Sequence, residues 1–412
     1  MMATPQMRIL IVDDEPDRSK GWEAEIRALG FEGISVIALD LDASRTLIEA
    51  VDNRHRAARG GRDPFGGHIE CALDEVDVLI VDYDLQEMVK IGQWSTGLWV
   101  AMLARAFSRV KLVVLVNQFG TNMFDLTLLK ALKSNADFDV GAVQLLNPAL
   151  WDRTRVDGFS PYGWLDGIRH APARFDAMID WMRGKLDQPV LATLGFGIGA
   201  DGEDPDTRIS PELWQECVRR QDLTFRTMVA EAEFLTSKDR DAIVQFDEPC
   251  VRVAAALVTH WLDRLVIPAG DVLIDLPHLA SSSPWLLNGR EDPYAWQSTV
   301  GPDGFDVFLP TVRKHLFAPG FPLSRPVVWR RGVERSAELA EPSGFTYDRF
   351  PDLVFCEDTS RFHPFEDAKP FACRLPSVDP QRFVANPDRI APTNGGRVLT
   401  DVMYEPSVLF TL

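Results

Sequence analysis

MRILIVDD (residues 7–14) and VDVLIVDYDL (residues 76–85) are apolar runs that end in carboxylates. Both are rich in Val, Ile and Leu and too short for a helix, which is the pattern of parallel strands buried on both faces. Set side by side, such strands bring Asp13, Asp14 and Asp82 to one edge of a sheet. Three acids in one pocket repel each other, and their pKa values rise unless a cation sits among them. A hard, oxygen-seeking ion such as Mg2+ suits that role, because it binds through a few carboxylates and keeps positions open for phosphoryl oxygens. The pattern points to chemistry in which an aspartate accepts a phosphoryl group.

The chain on either side keeps an alternating rhythm. After Asp14, Trp22, Ile26 and Leu29 recur at helical spacing and Gly30 ends the run. GISVIAL (33–39) predicts a second strand and residues 43–57 a second helix. RGGRDPFGGH (59–68) predicts an inserted loop before the third strand. A helix over 97–108, a strand over 110–117, a helix over 124–135, a strand over 140–147 (VGAVQLLN) and a helix over 173–186 complete the series. Five strands alternating with five helices imply a flavodoxin-like doubly wound (βα)5 sheet with insertions, whose ligand crevice lies beyond the carboxyl ends of the strands.

LIVDDEPD, VDVLIVDYDL and LLNP together resemble the signature segments of the receiver domain of bacterial two-component response regulators. The resemblance covers residues 7–186. It implies that Asp13 and Asp14 bind Mg2+, that Asp82 takes a phosphoryl group from a histidine kinase, and that the backbone carbonyl of Asp84 completes the metal shell. The family pattern departs at two positions. Asn117 stands where Ser or Thr is usual, and Asn147, in LLNP, stands where Lys is usual. That lysine neutralises charge on the transferred group, and asparagine donates a hydrogen bond without charge. The implied partners are a histidine kinase and other regulators of the same relay, with a homodimer left open. The implied function is an atypical response regulator whose second domain acts by protein interaction or as a phosphate sink; the alternatives are a pseudo-receiver that binds a partner regardless of phosphate and a receiver that regulates an enzymatic output.

The expected organisation is a receiver over 1–186, a linker over 187–211 and an α+β output domain over 212–412. The linker contains GxGxxG at Gly197, Gly199 and Gly202, but EDPDTRISP follows where a phosphate-binding helix should open. Helices are expected over 211–235 and 249–266, and short strands at DVLIDL, FDVFLP, PVVW, DLVF and SVLFTL. Pro351 and Asp352, with Asp367 and Lys369, give a superficial nuclease-like pattern whose spacing is wrong for a shared strand. Cys356, Glu357, Asp358, His363, Glu366 and Asp367 form a cluster without regular ligand spacing, read as a charged surface loop. His260, Asp275, Glu357, Asp358 and His363 are the residues through which an enzymatic output would act. PDLVFCEDTSRF (351–362) bears a faint resemblance to second domains of receiver-bearing antiviral proteins.

Composition narrows the classes. The formal charge is -18, and the stretch from Asp187 onward carries 22 basic against 34 acidic residues. That balance, with no basic helix-turn-helix, argues against nucleic acid as a partner. Cys71, Cys217, Cys250, Cys356 and Cys373 are scattered without CxxC spacing, which argues against a disulfide framework or zinc site. No apolar run reaches membrane-span length, so a cytoplasmic protein without membrane contact is expected.

Overall fold

The structure, a computed structural model, describes residues 7–66, 69–86, 96–117, 135–152, 165–196, 219–232, 235–301, 303–346, 351–372 and 381–385. Strands β1 (Met7–Val12), β2 (Ile34–Ala38), β3 (Val78–Asp82), β4 (Leu112–Val116) and β5 (Phe138–Val140) form one five-stranded sheet in the order β2-β1-β3-β4-β5. Every pairing is parallel. The order is flavodoxin-like, with its reversal between β1 and β3, where such sheets open a crevice at the strands' carboxyl ends. Every residue of β3 and β4 is buried, because helices cover both faces and leave no place for alternating polar residues.

The flanking helices follow the apolar spacing. Helix α1 (Pro16–Ala28) opens on Pro16, which costs no hydrogen bond there, and buries Trp22 and Ile26. Helix α2 (Leu41–Arg59) is capped by Asp40, whose carboxylate accepts from the Ala43 N–H at 2.8 Å. Helix α3 (Gly97–Phe107) is apolar on nearly every side and buried accordingly. Its first residue has to be glycine: a Cβ on Gly97 would stand 2.0 Å from the carbonyl oxygen of Asp82. This contact, with the Gly97 N–H donating to Tyr83 O at 2.8 Å, ties the start of α3 to the end of β3.

The fifth strand ends earlier than the sequence suggests. β5 is Phe138–Val140, paired with Val114–Val116, and the VGAVQLLN stretch instead turns into helices α4 (Ala142–Leu145) and α5 (Pro148–Trp151). A short buried apolar run has no periodicity that separates strand from helix. Helix α6 (Ala171–Met182) closes the series. The expected helix over 124–135 lies, apart from its last residue, outside the described residues, as do Gly197, Gly199, Gly202 and the SVLFTL segment.

Two compact units divide the chain. The one that contains the parallel sheet also takes in Asp166–Gln188 and Thr224–Val258, so helical segments that the sequence assigned to the second domain belong to the first. In the second unit, β6 (Leu273–Asp275) pairs antiparallel with β7 (Val327–Trp329). A second sheet has the order β10-β11-β8-β9, with β8 at Leu353–Cys356, β9 at Arg361–Pro364, β10 at Lys369–Ala372 and β11 at Gln381–Val384. FDVFLP, expected as a strand, is a 3-10 turn at Gly304–Val307, and only Phe308 makes a bridge, to Leu287. Val190–Thr193, in the expected linker, is one helical turn. Among the described residues no helix is long and apolar enough to cross a membrane.

Within the first unit, helix Ser237–Val244 packs on α2 through a buried ion pair. His55 Nε2 stands 2.9 Å from Asp239 Oδ1, and both residues are at most 3% exposed. Burial alone would lower the His55 pKa, but the hydrogen bond and charge of Asp239, helped by Asp52, outweigh it and raise it. Burial would raise Asp239, and the bond to His55 instead lowers it. The raised histidine contributes stability that is complete below its ordinary pKa of 6.5 and lost as pH rises through the raised value. The lowered carboxylate contributes stability that is present above its ordinary 3.8 and lost as pH falls through the lowered value. The stability difference between wild type and His55→Gln, measured by urea unfolding across pH, is therefore expected to be largest between these limits and to shrink at alkaline pH.

Candidate functional site

Asp13 and Asp14 directly follow β1, and Asp82 is the last residue of β3, the neighbouring strand. Their register is set by the pairing of Val12 with Val81, so the carboxyl ends of both strands finish level. Asp13 and Asp82 are fully buried and Asp14 is 9% exposed. One carboxylate oxygen from each lies within 4.8 Å of the others, and among the described residues this is the one group of acids, histidines or cysteines arranged to hold a metal ion.

A residue that the sequence did not single out stands among them. Arg18, in the first turn of α1, places Nε 2.6 Å from Asp13 Oδ2 and Nη2 2.6 Å from Asp13 Oδ1. The same Nη2 donates to Asp82 Oδ2 at 2.8 Å and lies 3.5 Å from Asp14 Oδ1. Nη1 reaches Glu15 Oε1 at 3.1 Å. The planar fork of a guanidinium matches a carboxylate edge in two parallel bonds, and here the same fork bridges to a second acid. The bond to Asp13, with the charges of Asp13 and Asp82, raises the Arg18 pKa further above its ordinary value. The Trp22 ring, one turn on, supports the guanidinium at 5.7 Å. A polar-looking EPDRSK segment gives no hint of this, because an arginine in a first helical turn is usually solvated.

The remaining sequence-derived residues are placed unevenly. Asn117 follows β4 at the same edge, is 8% exposed, and donates its backbone N–H to Val140 O at 2.7 Å. Asp84 donates its backbone N–H to Asp82 Oδ2 at 3.2 Å and forms a bridge with Thr96. Asn147 is not at the end of the fifth strand. It lies beyond α4, where its side chain caps α5 by accepting from the Ala149 N–H at 3.0 Å. The residue that follows β5 is Gly141, which carries no side chain. The donor set of three carboxylates fits a hard divalent cation, although the same oxygens already face Arg18. A cavity of about 720 Å3 lined by Asp74, Arg109, Lys111, Asp176, Arg183 and Arg252 lies by the start of β4, away from these acids.

In the second unit, Asp275 and Glu357 come together around His278. Asp275 ends β6 and caps helix Leu276–Ser282, and its Oδ1 stands 2.5 Å from His278 Nδ1. Glu357, just beyond β8, places Oε1 2.9 Å from His278 Nε2 and 3.0 Å from Arg382 Nη1. Arg382, on β11, also bonds His278 and donates to Pro268 O at 2.6 Å, while Arg325 pairs with Asp275 Oδ2 at 3.0 Å. Burial would raise both carboxyls, but Arg325 and His278 hold Asp275 well below its usual range, and His278 and Arg382 lower Glu357. Two acids facing two arginines and a histidine form a buried network in which each acid has an arginine beside it, not an open metal site.

The other residues of this region do not assemble. Cys356, Glu357 and Asp358 are buried instead of forming a surface loop, and Asp358 accepts from the Ala385 N–H at 2.8 Å. His363 bonds Thr359 Oγ1 at 2.9 Å, Glu366 and Asp367 are exposed, and His260 is half-buried on helix Asp247–Trp261. Lys369 is on β10, separated from β8 by β11, so the nuclease-like pattern is not built. Cys71, Cys250 and Cys356 are free thiols. No protein-family model, curated protein or solved structure matches the chain.

Removing one partner from a buried charge network leaves its neighbour uncompensated, at a cost of about 3–5 kcal/mol. Arg382→Met is therefore expected to destabilise the second unit by that order, and hydrogen exchange of β8 amides should show it.

Proposed function

We propose that the first unit is a receiver domain that accepts a phosphoryl group on Asp82 from a histidine kinase, and that the second unit acts through protein contacts. The observation that carries this reading is the meeting of Asp13, Asp14 and Asp82 at the carboxyl edge of a β2-β1-β3-β4-β5 parallel sheet. In the proposed step an Asp82 carboxylate oxygen attacks phosphorus as the N–P bond of phosphohistidine breaks, and the departing imidazole takes up a proton. Asp13, Asp14 and Asp82 would hold Mg2+, which supplies positive charge for the phosphoryl oxygens. Asn117, at the same edge, offers a side-chain amide as a neutral donor to the transferred group.

Transfer depends on positioning and on neutralising the phosphoryl oxygens. The strand-end position after β5 contributes no lysine here, and the cation fixed in the crevice is Arg18. That observation favours a second reading, a pseudo-receiver whose Arg18-closed site binds a partner without phosphorylation. The buried network around His278 supports a structural role for that part of the second unit over an enzymatic one.

Intact mass spectrometry after incubation with acetyl phosphate and Mg2+ separates the two. The receiver reading expects wild type to gain one phosphoryl group and Asp82→Asn to gain none. A gain that persists in Asp82→Asn contradicts it, and no gain with acetyl phosphate or a histidine kinase supports the pseudo-receiver.

A further inference from the structure

The carboxylates that would hold a metal already face a cation of the chain itself. Both oxygens of Asp13 and one of Asp82 accept from Arg18, at 2.6, 2.6 and 2.8 Å. Asp13 Oδ1 also accepts the Glu15 N–H at 2.9 Å, and Asp82 Oδ2 the Asp84 N–H at 3.2 Å. A divalent ion bound to these carboxylates would sit a few ångströms from the guanidinium, where two like charges in a largely buried setting repel strongly. The Asp13 and Asp82 side chains are 0% exposed and are held at the ends of β1 and β3, so they cannot turn away to serve a second site. Arg18 is the movable partner. Its side chain is 21% exposed and rises on a flexible stem from the first turn of α1.

We propose that Arg18 is the resident counter-cation of this crevice and competes directly with a divalent metal for Asp13 and Asp82, so that metal binding requires Arg18 to withdraw. The inference rests on reading the triad as a metal site. It makes the protein's ground state one in which the acids are neutralised from within, and it makes metal loading a conformational event at the start of α1. Asp14, the least buried of the three acids and the farthest from the guanidinium at 3.5 Å, is the ligand a metal meets first.

The test is calorimetric titration of the full chain with Mg2+ and Mn2+, comparing wild type, Arg18→Gln and Arg18→Lys. Loss of a like charge beside the ion should tighten metal binding at least about tenfold. Arg18→Lys, which keeps the charge without the fork, is expected between the other two. Equal or weaker binding by folded Arg18→Gln overturns the proposal, as does the absence of metal binding by all three proteins. Three uncompensated acids could prevent Arg18→Gln from folding alone. In that case recovery of its circular dichroism spectrum on adding Mn2+ supports the proposal, and no recovery together with wild-type affinity in Arg18→Lys overturns it. The acetyl phosphate assay is read in parallel. Tighter metal binding without labelling of Asp82 overturns the receiver reading and leaves this inference standing, and unchanged metal affinity with labelled Asp82 does the reverse.

Discussion

Three carboxylates at the end of a buried parallel sheet impose an electrostatic demand that the surrounding structure has to meet. β1 and β3 are neighbours with matched ends, so Asp13, Asp14 and Asp82 share one crevice however the rest of the chain varies. Like charges this close in a largely buried setting repel strongly, and an ionised triad needs positive charge within a few ångströms. α1 supplies it by carrying Arg18 back over the crevice. The same helix packs Trp22 and Ile26 inward, so core burial and charge neutralisation are fixed by one element. Gly97 secures the other side by letting α3 begin against the Asp82 carbonyl.

The sheet was legible because its signals are local. Continuous Val, Ile and Leu runs mark β1, β3 and β4, and the acids that end β1 and β3 mark the edge that carries the candidate site. The limit of β5 was not legible, since FDVGAVQLL is mostly apolar, with Asp139 and Gln144 buried as well, and only the pairing of Phe138–Val140 with β4 decides where extension stops. That error put Asn147 at a strand end, where the structure instead makes it the cap of α5. Arg18 escaped for a different reason: its role depends on Asp82, 64 residues away, and nothing in EPDRSK records that distance.

In the second unit the same rule governs a different outcome. Asp275, His278, Glu357 and Arg382 span 107 positions from first to last, and no spacing in the sequence relates them. Asp275 and Glu357 were visible as isolated acids, and the cations that neutralise them were not. Their convergence buries Glu357, which the sequence placed in a surface cluster, while Glu366 and Asp367 of that cluster stay exposed. The parallel-sheet unit also gathers Thr224–Val258, held by pairs such as His55 with Asp239, which a boundary drawn from prolines and glycines places elsewhere.

The central claim is that Arg18 and Asp82 are energetically coupled across the crevice. A double-mutant cycle with Arg18→Gln, Asp82→Asn and the pair, read by native-state hydrogen exchange of β1 and β3 amides, measures this directly. A favourable coupling of more than about 1 kcal/mol is expected, as for charged groups in one buried network. Additivity to within about 0.5 kcal/mol would contradict it and would reduce the arginine to a solvated residue near an acidic edge.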